Sequence, residues 1–527
     1  MAVVENKGQV IQQEAKKLKR ELTLLPLFGL IYFTVCGGAF GIEPLVGLSG
    51  PGMALLLIVI TPLVFSIPNM LLVREMTSMM PVEGGYYHWV KQAFGPFAGF
   101  MAGWMNWVVA WVDVSIYPVL AAYYLGYFIP ALRTGAVING IEVPAWVLSW
   151  GVALILIWVI TALNIRGARL AGMTANGLGV IMLIPLILMS ALGFYQWIRG
   201  GVTLNIPLLP EGETITGALS VGLFVVMWNF MGWELPTAAG DEIVNPKRTY
   251  PIAMVLVLIA AIATYSLPTL AGLFGGAGED GRYHLWGQEE PETGAGIGAL
   301  MAEYGIGEEK LIEWGVDPMS SVGWEFPDIA HAIADKVTGV PNTPLANTLG
   351  LLVTISAILS MIGLFIGNGL GGTRVPFAMA EDGMMPSFLT KVHPRYGTPY
   401  VAIILCGVIF SIFSLQPFAF LVVVDVFLNM TVLLVQFLAL WKLRFSIPHV
   451  PRKKIPGGYF GLTLATIAPS AIIFLAIYSQ LVEEGLNSLW LALAAMGVGA
   501  LLYFPIRRYI KPGIPDVDPF RLEPEEE

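Results

Sequence analysis

Long apolar runs separated by short polar segments recur along almost the whole of this chain. A helix needs about 20 apolar residues to cross the hydrocarbon core of a bilayer. Twelve stretches meet that measure: 24–48, 52–73, 97–129, 144–163, 172–198, 217–240, 250–276, 346–371, 398–416, 418–441, 459–480 and 487–507. The pattern predicts an all-α membrane protein with twelve transmembrane helices. The third run is longer than a span requires, and Tyr117-Pro118 is expected to kink it. Two runs are interrupted in the middle. Leu24 to Leu48 reads LLPLFGLIYFTVCGGAFGIEPLVGL, with Gly37, Gly38 and Gly41 ahead of Glu43 and Pro44. Ser220 to Gly240 reads SVGLFVVMWNFMGWELPTAAG, with Asn229, Gly232, Glu234 and Pro236 at mid-depth. Unpaired backbone groups and a carboxylate in hydrocarbon each cost roughly several kcal/mol unless they face a cavity or other helices. The two breaks are therefore expected to be used.

The breaks also organise the chain. Each opens a set of five spans, 24–198 and 217–441, and an odd number of spans inverts the second set relative to the first. That is the inverted-repeat plan, and two interrupted spans at corresponding places point to a secondary transporter's binding site. The spans in 459–507 are two additions to this core, flanked by polar segments at 1–23 and 508–527. With both termini in the cytoplasm, 23 of the 28 Lys and Arg fall on the inner side, as the positive-inside rule requires. A cell membrane is the expected location.

Composition narrows the class. The chain of 527 residues is 56% hydrophobic and 12% charged, against about 25% charged in soluble domains, so it cannot cover a soluble surface of its size. The net charge of −9 is local: segment 278–345 holds thirteen acids and three bases. Nothing in it suggests a nucleic-acid partner. That acidic loop is expected to be a solvated outer cap, or an attractor of cations at an entrance, and 298–314 and 324–337 have the pattern of short amphipathic helices. Two cysteines, Cys36 and Cys406, lie inside apolar runs, and five scattered histidines form no ligand pair. No metal or cofactor is implied. The segment 1–23 is polar and charged, unlike a signal peptide.

Four carboxylates fall inside apolar runs: Glu43, Asp113, Glu234 and Asp425. No Lys or Arg accompanies them there, so they are candidates for binding an ammonium group, with Glu43, Asp113 and Glu234 also candidates for carrying a proton. The alternative is an acid that merely bridges helices. At Cys36, Gly37 and Gly38 the backbone can leave the helix, freeing amides that suit a carboxylate and carbonyls that suit a cation. Trp104, Trp107 and Trp111 recur on one helical face, and with Tyr117, Trp228 and Trp233 they could stack on a cation or an alkyl chain. Ordinary packing is the competing reading for each except Trp228, which abuts a break.

Several blocks resemble the amino acid–polyamine–organocation permeases: PVEGGYYH at 81–88 with Gly95, the glycine break at 37–41, RVPFAMAEDGMMP at 374–386, RYGTP at 395–399 and NIRG at 164–167. GGAFGIE, GWMNWVVAWVDVSIYPVL at 103–120, and WNFMGWE followed by AGDEIVNPKRT resemble the polyamine uptake branch. Glu234 stands where that branch carries Asp, and Asp425 where it carries Glu. The resemblance implies a fold with discontinuous first and sixth spans and a site between spans 1, 3, 6, 8 and 10. It implies alternating-access uptake of an amino acid or polyamine, with a proton as coupling ion. Cys36, Gly37, Gly38, Gly41, Glu43, Asp113, Tyr117, Trp228, Asn229, Glu234 and Asp425 are the expected substrate-binding residues, with Trp228 occluding the site. A neutral amino acid permease or exchanger is the alternative. A cation channel or an intramembrane enzyme fits less well: paired broken helices argue for gating around one site, and no GxGD or HExxH motif is complete.

Overall fold

The computed structural model describes residues 23–80, 85–126, 128–200, 206–209, 214–233, 243–276, 325–340, 343–483, 485 and 490–507. Glu234 and segment 277–324 lie outside the described residues, and with them the expected helix at 298–314. In chain order the helices are α1 (Leu24–Val35), α2 (Glu43–Ser49), α3 (Pro51–Met79), α4 (Gly85–Phe94), α5 (Pro96–Leu125) and the single turn α6 (Ala131–Thr134). There follow α7 (Ala145–Arg166), α8 (Ala168–Gly200), α9 (Ile215–Trp228), α10 (Pro246–Gly276), α11 (Glu325–Thr338) and α12 (Pro344–Glu381). The last four are α13 (Tyr400–Phe413), α14 (Phe418–Ser446), α15 (Gly458–Glu483) and α16 (Trp490–Arg507). Among the described residues eight helices are long and apolar enough to cross a membrane, and α1, α9, α13 and the bulk of α16 are shorter apolar helices.

Local chemistry sets many of the ends. Thr214 Oγ1 accepts from Gly217 N at 2.9 Å and starts α9, and Thr343 Oγ1 accepts from Ala346 N at 3.2 Å and starts α12. Pro118 sits inside α5, which nevertheless runs as one helix through it. A π-turn at Pro62–Ser66 interrupts α3, where the proline lacks the N–H that an α-turn needs. The only strands among the described residues form a hairpin, Ala136–Ile138 against Ile141–Val143. Asn139 and Gly140 at its turn both have positive φ, 53° and 81°. Asn-Gly is the preferred pair for such a turn.

Burial separates an inner from an outer set. α5 and α12 pack against each other, with 72% and 67% of their most apolar stretch inside the protein. For α7 and α15 the figures are 22% and 28%, and residues such as Ile155 and Phe474 point outward. An apolar outer wall of this kind suits contact with lipid tails. α11 departs from the solvated cap expected for its segment. Phe326, Ile329, Ala330, Ile333 and Ala334 are fully buried, and the Phe326 ring meets Phe40 edge-on at 6.0 Å. Its amphipathic pattern is thus answered by the protein rather than by water. Away from these helices, α4 docks through Lys91 Nζ to Asp382 Oδ2 at 2.9 Å and through a Tyr87 hydroxyl bond to the same carboxylate.

Candidate functional site

Both interrupted runs are interrupted in the structure. Residues 36–42 separate α1 from α2, and α9 stops at Trp228 with 229–233 in turns and irregular backbone. Gly41 at φ 86° and Gly232 at φ 92° occupy the left-handed region that L side chains avoid. The two breaks touch reciprocally. A Cβ on Gly232 would strike the carbonyl of Thr34 at the end of α1, and one on Gly41 would come within 2.8 Å of the Trp228 ring. Asn229 Nδ2 donates to Gly41 O at 3.1 Å and to Val225 O at 2.9 Å.

The loose backbone ends find partners from neighbouring helices, as buried polar groups must. Gly37 O accepts from the Ser360 hydroxyl on α12. Phe230 O accepts from Ser66 Oγ at 3.3 Å, beside the π-turn, and from Trp233 Nε1 at 2.8 Å. Asn229 O accepts from Tyr265 OH at 2.9 Å, and Trp233 O from Tyr250 OH at 2.9 Å. The amide of Gly41 donates to Glu43 Oε2 at 2.6 Å, and Tyr124 OH donates to Glu43 Oε1 at 3.2 Å.

Beside the breaks lies a cavity whose wall comes from α1 and its break, α5, α9 and its break, α10, α12 and α14. These are the five elements expected to enclose a site, joined by α10 through Tyr265. Gly37, Asp113, Tyr117, Trp228, Asn229 and Asp425 line it. Glu43, Cys36, Gly38 and Gly41 do not. Glu43 is fully buried behind the wall, holding the turn, and Cys36 Sγ faces Gly38 O at 3.7 Å. Among the described residues no Lys or Arg lines the cavity.

Asp113 anchors the polar part of the wall. Its Oδ1 accepts from Tyr117 OH at 2.7 Å and from Trp228 Nε1 at 3.2 Å. Tyr117 OH accepts in turn from Asn368 Nδ2 at 2.7 Å, so one chain of bonds ties α12 to α5 and α9. The rings of Tyr117 and Trp228 stack with centroids 6.3 Å apart. Asp425 on α14 is fully buried on the same wall. The arrangement offers two carboxyl groups and aromatic faces to a small cationic ligand.

The tryptophan stripe belongs elsewhere, contrary to the stacking surface read from its spacing. Trp104, Trp107 and Trp111 pack edge-on against one another at 4.8–5.8 Å. Trp104 Nε1 donates to Ala495 O at 2.9 Å and Trp107 Nε1 to Cys406 Sγ at 3.4 Å, away from the cavity. Asn106, Asn368, Asn429 and Tyr265 are wall residues that the sequence reading passed over. An amide inside an apolar span is the signal that could have found the three asparagines.

A family model described as Amino acid permease matches residues 22–282 and 331–502. Among curated proteins, a probable polyamine transporter of Arabidopsis thaliana is 31% identical over 460 residues, 86% of this chain and 78% of that protein. Polyamine transporter RMV1 of the same plant is 30% identical, covering 94% of this chain and 87% of its own. Polyamine transporter PUT1 of Oryza sativa subsp. japonica is 29% identical, covering 95% and 83%.

Proposed function

This chain belongs to the amino acid permease family, a multi-pass membrane transporter for amino acids or polyamines, and we propose that within it the cargo is a polyamine taken up together with a proton. One observation carries the reading. Asp113 and Asp425 share a buried wall with Trp228 and Tyr117, and among the described residues no Lys or Arg lines that wall. Such a wall favours a multiply charged amine, and the polyamine transporters named above support the same class.

In this reading Asp113 and Asp425 receive ammonium groups, Glu234 supplies a third acid, and Trp228 closes over the cargo. The break at 36–41 and the break after Trp228 act as hinges, and Glu43 with Gly38, Gly41 and Cys36 holds the first of them. Twelve spans, of which 24–198 and 217–441 form inverted halves, would put the reciprocal contact of the breaks on the axis between the halves, with 459–507 outside them. Both termini would face the cytoplasm, and the site would alternate between the two faces of a cell membrane. Proton coupling follows from acids that can exchange a proton for an ammonium in a shared cavity.

Uptake of labelled putrescine and spermidine into proteoliposomes holding the purified protein tests this directly. An inward proton gradient should drive accumulation, and Glu234→Gln should abolish it while the protein still inserts. Accumulation driven by sodium and indifferent to pH would overturn the coupling. Transport of neutral amino acids alone, retained by Glu234→Gln, would overturn the cargo.

A further inference from the structure

The hydrogen-bond directions on the cavity wall carry more than the charge does. Asn368 on α12 is 2% exposed and lines the cavity. Its Nδ2 is committed to Tyr117 OH at 2.7 Å, while its Oδ1 has no hydrogen-bond partner among the described residues. The orientation of this amide is fixed from outside. Tyr117 gives its own proton to Asp113, so the Tyr117 oxygen is left able only to accept, and only the NH2 end of Asn368 answers it.

Several other wall donors are engaged as well, although Asn106, like Asn368, keeps a second amide N–H. Trp228 Nε1 goes to Asp113, Asn106 Nδ2 to Ala102 O, Asn229 Nδ2 to backbone carbonyls and Tyr265 OH to Asn229 O. Asn429 is the exception. A buried amide oxygen left without a donor costs stability, and a ligand N–H at this wall removes the cost. A ligand carboxylate placed beside Asn368 meets the Asp113 carboxyl and this bare amide oxygen, both of which repel it.

We propose that Asn368 is a specificity-determining residue of the cavity: its amide oxygen receives an N–H of the cargo, and Tyr117 holds it in that orientation. Asn368 thereby favours an amine over the amino acid that carries the same amine with a carboxylate. The proposal rests on the polyamine reading above and goes beyond it by naming what excludes the carboxylate. No part of it depends on Glu234 or on proton coupling.

Cadaverine and lysine differ only by that carboxylate, so their dissociation constants on the purified full-length protein, measured by isothermal titration, isolate the effect. The unaltered protein should prefer cadaverine. Asn368→Leu keeps the side chain's bulk but has no acceptor, and should weaken cadaverine at least about tenfold, the loss of one bond from a charged donor, while lysine, whose carboxylate no longer meets the amide oxygen, loses less. Tyr117→Phe keeps the ring on Trp228 but frees the amide to turn its NH2 to the ligand. It should narrow the ratio of the lysine to the cadaverine constant at least about threefold, which lost packing alone would not do. Cadaverine affinity within about twofold of the unaltered protein in Asn368→Leu, or an unchanged ratio in Tyr117→Phe, overturns the proposal and leaves the polyamine reading standing. An unaltered protein that prefers lysine overturns the polyamine reading, and one that binds neither ligand overturns both.

Discussion

Glu75→Ala should unfold this protein more readily than any surface change, and the structure says by how much. Glu75 near the end of α3 is fully buried, and Arg444 in the last turn of α14 is 5% exposed. Arg444 Nε donates to Glu75 Oε1 at 2.7 Å, and Nη2 donates to Oε2. The backbone N of Ile455 also donates to Oε2, at 2.7 Å, and Arg444 Nη1 reaches Gly458 O at 3.0 Å. Alanine at 75 leaves a dry guanidinium with one carbonyl and strips three donors of their acceptor. Removing one partner of a buried pair costs about 3–5 kcal/mol. The stranded Ile455 N–H, at about 1–3 kcal/mol for an unmet buried group, places the expected loss toward the upper end. Glu75→Gln keeps one acceptor oxygen and should lose about half as much. Glu75→Leu combined with Arg444→Met removes both charges at similar volume, and should recover to within about 1–3 kcal/mol of the original, because well-packed apolar groups often replace a buried pair without loss and only the stranded Ile455 N–H remains. Thermal unfolding in detergent, followed by the loss of the monodisperse peak on size-exclusion chromatography, gives the order. The midpoint should be lowest for Glu75→Ala, with the double variant and Glu75→Gln between it and the unaltered protein. A double variant that unfolds below Glu75→Ala would refute the electrostatic argument, since no unpaired charge would then explain the loss.

Asp113→Asn keeps an acceptor for Tyr117 and Trp228 but removes the charge, and putrescine affinity measured by isothermal titration should fall at least about tenfold. Gly232→Ala forces a side chain into φ 92° against the Thr34 carbonyl, adding about 1–2 kcal/mol of backbone strain before any displacement. Uptake per inserted molecule in proteoliposomes should collapse while surface expression holds. His88 on α4 titrates below the usual histidine range because burial disfavours its charged form, an effect that Asp382 opposes and Lys91 reinforces. Its folded value lies under the unfolded one, so its stabilising contribution is present above about pH 6.5 and is lost as pH falls through the folded value. Thermal midpoints compared at about pH 7.5 and about pH 5.5 should show a smaller acid-side drop in His88→Gln than in the unaltered protein.

Each apolar run holds a helix among the described residues, eight of them long enough to cross a membrane, because a run of apolar residues in a membrane protein has few alternatives to a helix. The first break was equally legible: Gly37, Gly38 and Gly41 mark where the backbone leaves α1, and Gly41 does take positive φ. What a sequence does not carry is which side of a helix looks inward. Trp104, Trp107 and Trp111 share a face by spacing, yet that face meets α13 and α16 rather than the cavity. Asn368 stands out as an amide in an apolar span, but the span does not carry the information that it meets Tyr117 across the cavity wall. The hairpin at 136–143 was missed for a different reason. Its Asn-Gly turn is a local signal, and a reading tuned to 20-residue apolar windows does not register strands of three residues.

Glu43 lies at the first break but not on the cavity wall. An acid beside a helix break suggests a ligand contact, and the freed amides of the break suggest a place for a carboxylate. In the structure each answers the other: Glu43 Oε2 takes the Gly41 amide at 2.6 Å, with Tyr124 on α5 at the second oxygen. The break therefore reaches the cavity with this amide already engaged, and with its carbonyls held by Ser360 and Asn229. A hinge whose polar groups are bound to α5, α9 and α12 cannot move alone. Any opening that separates α1 from α9 must give up the bond from Asn229 to Gly41 and the close approach of Gly232 to Thr34 together. Two breaks that share their contacts in this way would open as one unit, with cargo in the cavity between them bearing on both.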